Sequence, residues 1–300
     1  MKKSHRQPAP PLEGLRPVLE DLYTRYNRRE FVHPDPLEFL YAYPDLRDRE
    51  VVGLVAATLA VGRVAHILRS VGCVLGRLTE HPARFLEGIS AATLEKLLAD
   101  CRHRFLSGPE LAAMLWGARR IQKKWSTLGA CFAEKMKEED KTRGSRPASK
   151  PWHVKEDREE EEAETVVPAL GAFVQELTGG QSACGRLLCH PDAGSACKRL
   201  NLYLRWMVRR DDVDPGGWTG VSPSRLVVPL DVHMHRIGRT LGLTSSRYAN
   251  LRTAIEITRA FRQMAPDDPV RYDFALTRLG IRTDTDEEEF LRGCGAALSG

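Results

Sequence analysis

The chain has 300 residues, 42% hydrophobic and 7% aromatic, which is enough apolar material for one large or two modest cores. No apolar run reaches the roughly 18 to 20 residues of a bilayer-crossing helix, and the basic, Pro-rich stretch Met1 to Pro11 has no apolar segment behind it, so a membrane protein or a secreted one is not expected. The formal charge of +5 is unevenly placed: residues 134–164 carry a net of −3, which leaves +8 on the rest, a balance that suits a polyanionic partner but is shared by many ordinary enzymes.

From Glu13 to Asn27 the apolar residues Leu15, Val18, Leu19 and Leu22 recur at i, i+3, i+4 and i+7, the pattern of an amphipathic helix. His33-Pro34-Asp35-Pro36 stops it, and a second apolar block runs from Leu37 through Tyr41. Glu50 to Leu78 is rich in Ala, Leu and Val and is interrupted at Ala60-Val61-Gly62-Arg63, which reads as two helices with a bend at Gly62. Further helices are predicted at Ser90–Ala99, Gly108–Trp125, Val167–Leu177, Ala196–Val208, Val232–Leu241, Leu251–Met264 and Val270–Leu279. No segment alternates with period two between turn residues, so the expected fold class is all-α. Residues 134–165 have almost no apolar side chains and read as a disordered acidic insertion, either a solvated loop or a tether that competes with a polyanion for basic surface.

The seven cysteines, at 73, 101, 131, 184, 189, 197 and 294, are odd in number and contain no Cys-x-x-Cys pair. They point to neither a disulfide framework nor a zinc or iron–sulfur centre, and a reducing cytoplasm fits them best.

Two stretches carry chemistry. In the first, His190 to Arg209, the residues Leu200, Tyr203, Leu204, Met207 and Val208 mark a buried helix face, and Lys198, Arg205 and Arg209 fall within roughly 40° of one another on the opposite, basic face. Ser195, after Gly194, is the expected N-cap, which places Lys198 in the first turn. There the positive end of the helix dipole, with Arg199 beside it, favours the neutral, nucleophilic amine. The other reading is a surface lysine on a solubilising face. In the second stretch, Leu226 to Leu241, an apolar extended segment runs into Asp231, an expected N-cap whose carboxylate can also face a cleft and stabilise a developing positive charge. His233 and His235, two apart on a helix, point to different faces and are not metal-like.

Together these stretches resemble the catalytic core of the helix-hairpin-helix DNA glycosylases, in which a Gly-containing hairpin precedes a helix bearing a nucleophilic lysine and an aspartate follows in a Val-Asp-x-His type motif. Val228-Pro229-Leu230-Asp231-Val232-His233-Met234 is closest to the 8-oxoguanine glycosylase version. The strings Gly194 to Asn201 and Tyr272-Asp273-Phe274-Ala275-Leu276 look closer still to an uncharacterised bacterial branch described only as a domain of unknown function. The likeness covers roughly residues 13 to 130 and 166 to 285. Two departures stand out: Pro191-Asp192-Ala193-Gly194 replaces the usual Leu-Pro-Gly-Val-Gly hairpin, and a Gly- and Asp-rich loop, Arg210 to Val221, lengthens the gap between Lys198 and Asp231.

The resemblance implies a helical barrel-like subdomain at 35–204, a second subdomain from 12–34 plus 226–293, and tails at 1–11 and 294–300. It implies a monomeric DNA repair glycosylase with AP lyase activity and no cofactor, acting on double-stranded DNA with a flipped damaged base, an oxidised purine favoured. Lys198 and Asp231 would be catalytic. Gly62, Arg63, His66, Gly194, Ser195, Arg199, Arg205, Arg209, His233, Arg236 and Arg239 would contact DNA, with Arg63 or His66 filling the gap left by the flipped base unless the Gly62 bend is simply a kink between core helices. Tyr272 and Phe274 would border the base pocket, although aromatics two apart on a helix also split between core and surface. A non-catalytic DNA- or RNA-binding protein on the same fold is the alternative.

Overall fold

A computed structural model describes residues 12–144, 162, 164–180, 187–279 and 290–294. Their helices are α1 (Leu15–Tyr26), α2 (Leu46–Leu59), α3 (Val64–Leu75), α4 (Pro82–Gly88), α5 (Ala91–Leu98), α6 (Gly108–Trp125), α7 (Leu128–Gly144), α8 (Val167–Thr178), α9 (Lys198–Val208), α10 (Val232–Thr240), α11 (Leu251–Met264) and α12 (Asp273–Leu279). Among the described residues the sheet is limited to one antiparallel hairpin, β1 (Arg102–His103) with β2 (Leu106–Ser107). The all-α expectation therefore holds. Among the same residues no helix is long and apolar enough to cross a membrane.

Helix α2 is the centre of the packing. Asp45 starts it by accepting from the Arg47 and Asp48 N–H groups, and the run Val51 to Leu59 is buried on every side rather than on one stripe. Helix α9 lies against it so closely that a Cβ on Gly53 would stand 3.2 Å from the Tyr203 ring. On the far side, α6 opens with a reciprocal capping box between Ser107 and Glu110. Its Gly117 lets α8 approach until a Cβ there would be 1.8 Å from the Leu177 carbonyl oxygen. The N-terminal α1 packs on the C-terminal α12 region: Tyr272 Oη donates to Glu20 at 2.6 Å, and Arg271 pairs with the same carboxylate at 3.1 Å. One continuous apolar cluster runs through all of these elements.

The acidic insertion is smaller than the sequence suggested. Residues 134–144 belong to α7, residues 164 and 165 form a turn with Thr165 buried, and residues 145–161 and 163 lie outside the described residues, as do 1–11 and 295–300. The reason is the start of α7. Glu50, wholly buried on α2, accepts from the Leu128 and Gly129 N–H groups at 2.8 and 2.7 Å and so caps α7 from another helix. Leu128, Phe132 and Met136 then bury one face. The charged end is held by Lys135–Glu138 at 3.0 Å, Lys137–Glu134 at 3.3 Å and Arg225–Asp140 at 2.8 Å. Burial pushes the Glu50 carboxyl up to about 7 despite these N–H donors and the Trp218 indole.

A second correction concerns Arg205 and Arg209, expected on a solvent-facing basic stripe. They are 3% and 2% exposed. Arg205 reaches Asp273 at 2.5 Å and Asp214 at 3.1 Å, and Arg209 meets Asp211 at 2.7 Å, Asp268 at 3.0 Å and, at short range, Asp214. Periodicity marked this face as polar, but the carboxylates that pair with it come from two other stretches of chain. Buried charge is tolerated only when it is matched in this way. The Arg210 to Val221 loop is only partly at the surface: Val213 and Asp214 are fully buried, and Trp218 packs against Phe132, Phe173 and Tyr203 with centroids 5.4 to 6.3 Å apart.

Candidate active site

Lys198 and Asp231, 33 positions apart in sequence, meet in space. Lys198 Nζ lies 3.2 Å from Asp231 Oδ2, with the two side chains 34% and 23% exposed, so the pair is partly sheltered but open to solvent. Each is placed by a helix start. Asp231 caps α10, its Oδ1 accepting from the His233 and Met234 N–H groups at 3.0 and 2.9 Å, which leaves Oδ2 for the lysine. Burial by itself would raise the Asp231 carboxyl. The Lys198 charge and the Met234 N–H outweigh it and hold the group below its ordinary value, as a carboxylate.

Lys198 lies in the first turn of α9, as expected, but the helix starts at Lys198 rather than at Ala196, and Ser195 is not the cap. The capping position falls to Cys197, whose backbone is left-handed (φ 46°) and whose side chain makes no capping bond. Ser195 Oγ accepts from the Cys197 N–H at 3.3 Å instead. Before it, Pro191–Ala193 forms one 3-10 turn that ends in Gly194 at φ 73°. The Gly194 carbonyl accepts from Leu251 N–H at the start of α11, which ties the hairpin to that helix. Burial pushes the Cys197 thiol up to about 12, so it stays protonated near neutral pH.

The pair opens on a cavity of about 780 Å³. Its walls include Val61, Ile67, Leu200 and Leu230, and its polar residues include Asp35, Arg199, Asp273 and Arg278. Of the sequence-predicted residues, Gly62, Ser195, Lys198, Arg199, Asp231 and His233 line this space, and Arg205 borders it while remaining buried. Arg199 is partly spoken for, donating to the Thr58 carbonyl at 3.1 Å. Arg63 and His66 are exposed at the start of α3, and Gly194 is exposed on its turn; none of the three lines the cavity. Arg236 and Arg239 border a separate surface depression with Val232, His235 and Thr240. Arg209 is remote in its ion-pair cluster.

Tyr272 and Phe274 do not line the cavity. Both are essentially inaccessible, at 0% and 1% exposure, because they point into the core. The residue between them, Asp273, faces the cavity instead. Of the exposed large hydrophobics among the described residues, Phe105 and Val232 line the cavity, and Tyr248 precedes the lining residue Ala249 in sequence. Phe105 sits at the tip of the β1–β2 hairpin beside Arg104, whose side chain covers Gly62 closely enough that a Cβ there would stand 2.9 Å from the guanidinium. The hairpin is anchored by His103, which bonds to the Val61 carbonyl and to Ser70 Oγ at 2.9 Å each. An exposed aromatic on a pinned turn has no pattern in sequence that would reveal it.

These features define a class: an all-helical protein in which a lysine and an aspartate distant along the chain share one solvent-reachable, largely apolar cavity. Over residues 35–282 the chain matches the family described as "Protein of unknown function (DUF2400)", and it belongs to that family. No curated protein and no solved structure matches it.

Proposed function

We propose that the protein is a DNA glycosylase with AP lyase activity, built on a helix-hairpin-helix glycosylase-like fold with subdomains at 35–204 and at 12–34 plus 226–293. The observation that carries the reading is the 3.2 Å approach of Lys198 to Asp231 at the wall of a cavity of about 780 Å³. That volume lies within the roughly 300 to 1,000 Å³ of small-molecule sites and accommodates one nucleotide turned out of a duplex. The resemblance of the Lys198 and Asp231 segments to the catalytic core of those glycosylases supports it.

In this reading Lys198, once deprotonated, attacks C1′ of a damaged nucleotide. The Nζ–C1′ bond forms as the C1′–N bond breaks, and the electron pair leaves with the base, which takes up a proton. Asp231, held ionised, stabilises the positive charge that develops on the sugar. Ring opening gives a Schiff base between Lys198 and C1′. Loss of a C2′ proton then expels the 3′ phosphate and nicks the strand. Arg199, Arg236 and Arg239 are the phosphate contacts and Arg63 or His66 fills the gap left by the flipped base, while Arg205 and Arg209 hold the fold.

Borohydride reduction on a duplex with one abasic site tests the reading. Wild type should form a covalent protein–DNA adduct and Lys198→Gln should form none. Adduct formation by Lys198→Gln, or none by wild type, overturns it. If wild type still binds the duplex without reacting, competition by structured RNA at one fixed salt concentration identifies which nucleic acid the fold serves.

A further inference from the structure

Helix α3 and the chain leading into the β1–β2 hairpin are joined by a row of side-chain contacts. At one end Ser70 Oγ bonds to His103 Nδ1 at 2.9 Å. At the other, Arg77 grips the Asp100 carboxylate with both Nη atoms, Nη2 to Oδ2 at 2.9 Å, and donates to the Leu97 carbonyl at 2.8 Å. Gly76 keeps helical dihedrals (φ −59°, ψ −18°), so residues 70, 73 and 77, three and four positions apart, share one face. Residue 101 falls between the partners 100 and 103 of the two outer members of that face, which sets Cys73 against Cys101. The two thiols meet there through a side-chain hydrogen bond, and both lie within reach of the Arg77 charge. Cys73 is exposed to solvent, whereas Cys101 is 6% exposed.

We propose that Cys73 and Cys101 are a redox-active dithiol that closes to a reversible disulfide by exchange with a low-molecular-weight disulfide such as oxidised glutathione. Cys73, open to solvent, reacts first: its thiolate attacks one glutathione sulfur, the Cys73–glutathione bond forms as the glutathione S–S bond breaks, and one glutathione leaves. The Cys101 thiolate then attacks the Cys73 sulfur, and the second glutathione leaves. The two cysteines are oxidised, the glutathione disulfide is reduced, and the two protons shed by the cysteines end on the two glutathione thiols. Burial raises the Cys101 thiol, the Arg77 charge opposes that rise, and Cys73 and Asp100 add to it, which suits Cys101 to the second, intramolecular step. Reversible pairs of this kind, unlike structural disulfides, occur in reducing compartments. The bond ties α3 to the base of the hairpin whose tip, Phe105, lines the cavity.

The test incubates the full, native chain in mixtures of reduced and oxidised glutathione, blocks free thiols with N-ethylmaleimide and maps the tryptic peptides by mass. Cleavage releases residues 70–77 with Cys73 and residues 97–102 with Cys101. Wild type should yield these two peptides joined, the joined fraction rising with the share of oxidised glutathione and vanishing when reduced glutathione is restored. Cys101→Ser should stop at a glutathione adduct on Cys73, and Cys73→Ser should leave Cys101 a free thiol. The same mixtures in urea decide the matter without any variant: once the fold no longer holds α3 against the hairpin, the preference for this pair among the seven cysteines should be lost. A wild-type adduct on Cys73 that never proceeds to the joined peptides, no reaction at either cysteine, a different partner for either, or an undiminished preference in urea overturns the proposal.

Discussion

The buried carboxyl of Glu50 should make stability fall as pH rises toward neutrality. In the unfolded chain it titrates at its ordinary 4.5, and in the fold burial pushes it up to about 7. Between these values the folded protein holds a proton that the unfolded chain has released. The contribution is therefore fully present below pH 4.5 and is lost as pH rises through about 7. The gap corresponds to about 3 kcal/mol. Urea unfolding of wild type and Glu50→Gln, followed between about pH 5 and about pH 8, isolates it. The variant starts lower, because an amide presents an NH2 to one of the three donors on Glu50, the Leu128 and Gly129 N–H groups and the Trp218 indole. Only the change with pH is diagnostic: the lead of wild type over the variant should shrink by about 3 kcal/mol across the range. A lead that stays constant would refute the assignment of a neutral-range titration to this group.

Asp214→Ala removes the carboxylate shared by Arg205 and Arg209 and should cost about 3–5 kcal/mol, read as a fall in urea midpoint, whereas Asp192→Ala, at an exposed turn, should cost less than about 0.5 kcal/mol. Gly117→Ala drives a methyl into the Leu177 carbonyl and should destabilise by about 1–3 kcal/mol in thermal melts, while Gly88→Ala, with nothing within 4 Å, should be neutral or slightly stabilising. Asp231→Ala should lose about 1 kcal/mol of helix capping and also abolish borohydride trapping. Because the folded-state value of this group is depressed, its stabilisation is present above 3.8 and disappears as pH falls below it, so the variant and wild type should converge in acid melts.

Helices with strong apolar periodicity were readable from the residues, whereas the meeting of Lys198 and Asp231 was not: periodicity left Lys198 equally a surface lysine, and only the resemblance of the two segments to a known catalytic core implied that they meet. Helix α7 was not readable either, since beyond Met136 its sequence is almost wholly charged and its cap, Glu50, comes from 78 positions earlier in the chain. Arg205 and Arg209 were misplaced for the same reason. A 3.6-residue period says which face is polar, not whether carboxylates from residues 214, 268 and 273 will cover it. Tyr272-Asp273-Phe274 shows the limit most sharply: the aromatics drew attention, yet they are core, and the aspartate between them faces the cavity.

The stretch that separates Lys198 from Asp231 dives into the middle of the molecule before returning, with Asp214 clamped by two arginines and Trp218 wedged among three rings. The hydrogen-bonded amides of Val213, Asp214, Gly216 and Trp218 should therefore exchange with deuterium only when the whole molecule opens, at rates matching the α2 interior rather than those of a surface connection. Slow exchange there would mean that Lys198 and Asp231 are registered against each other by the interior of the molecule, not by a surface connection.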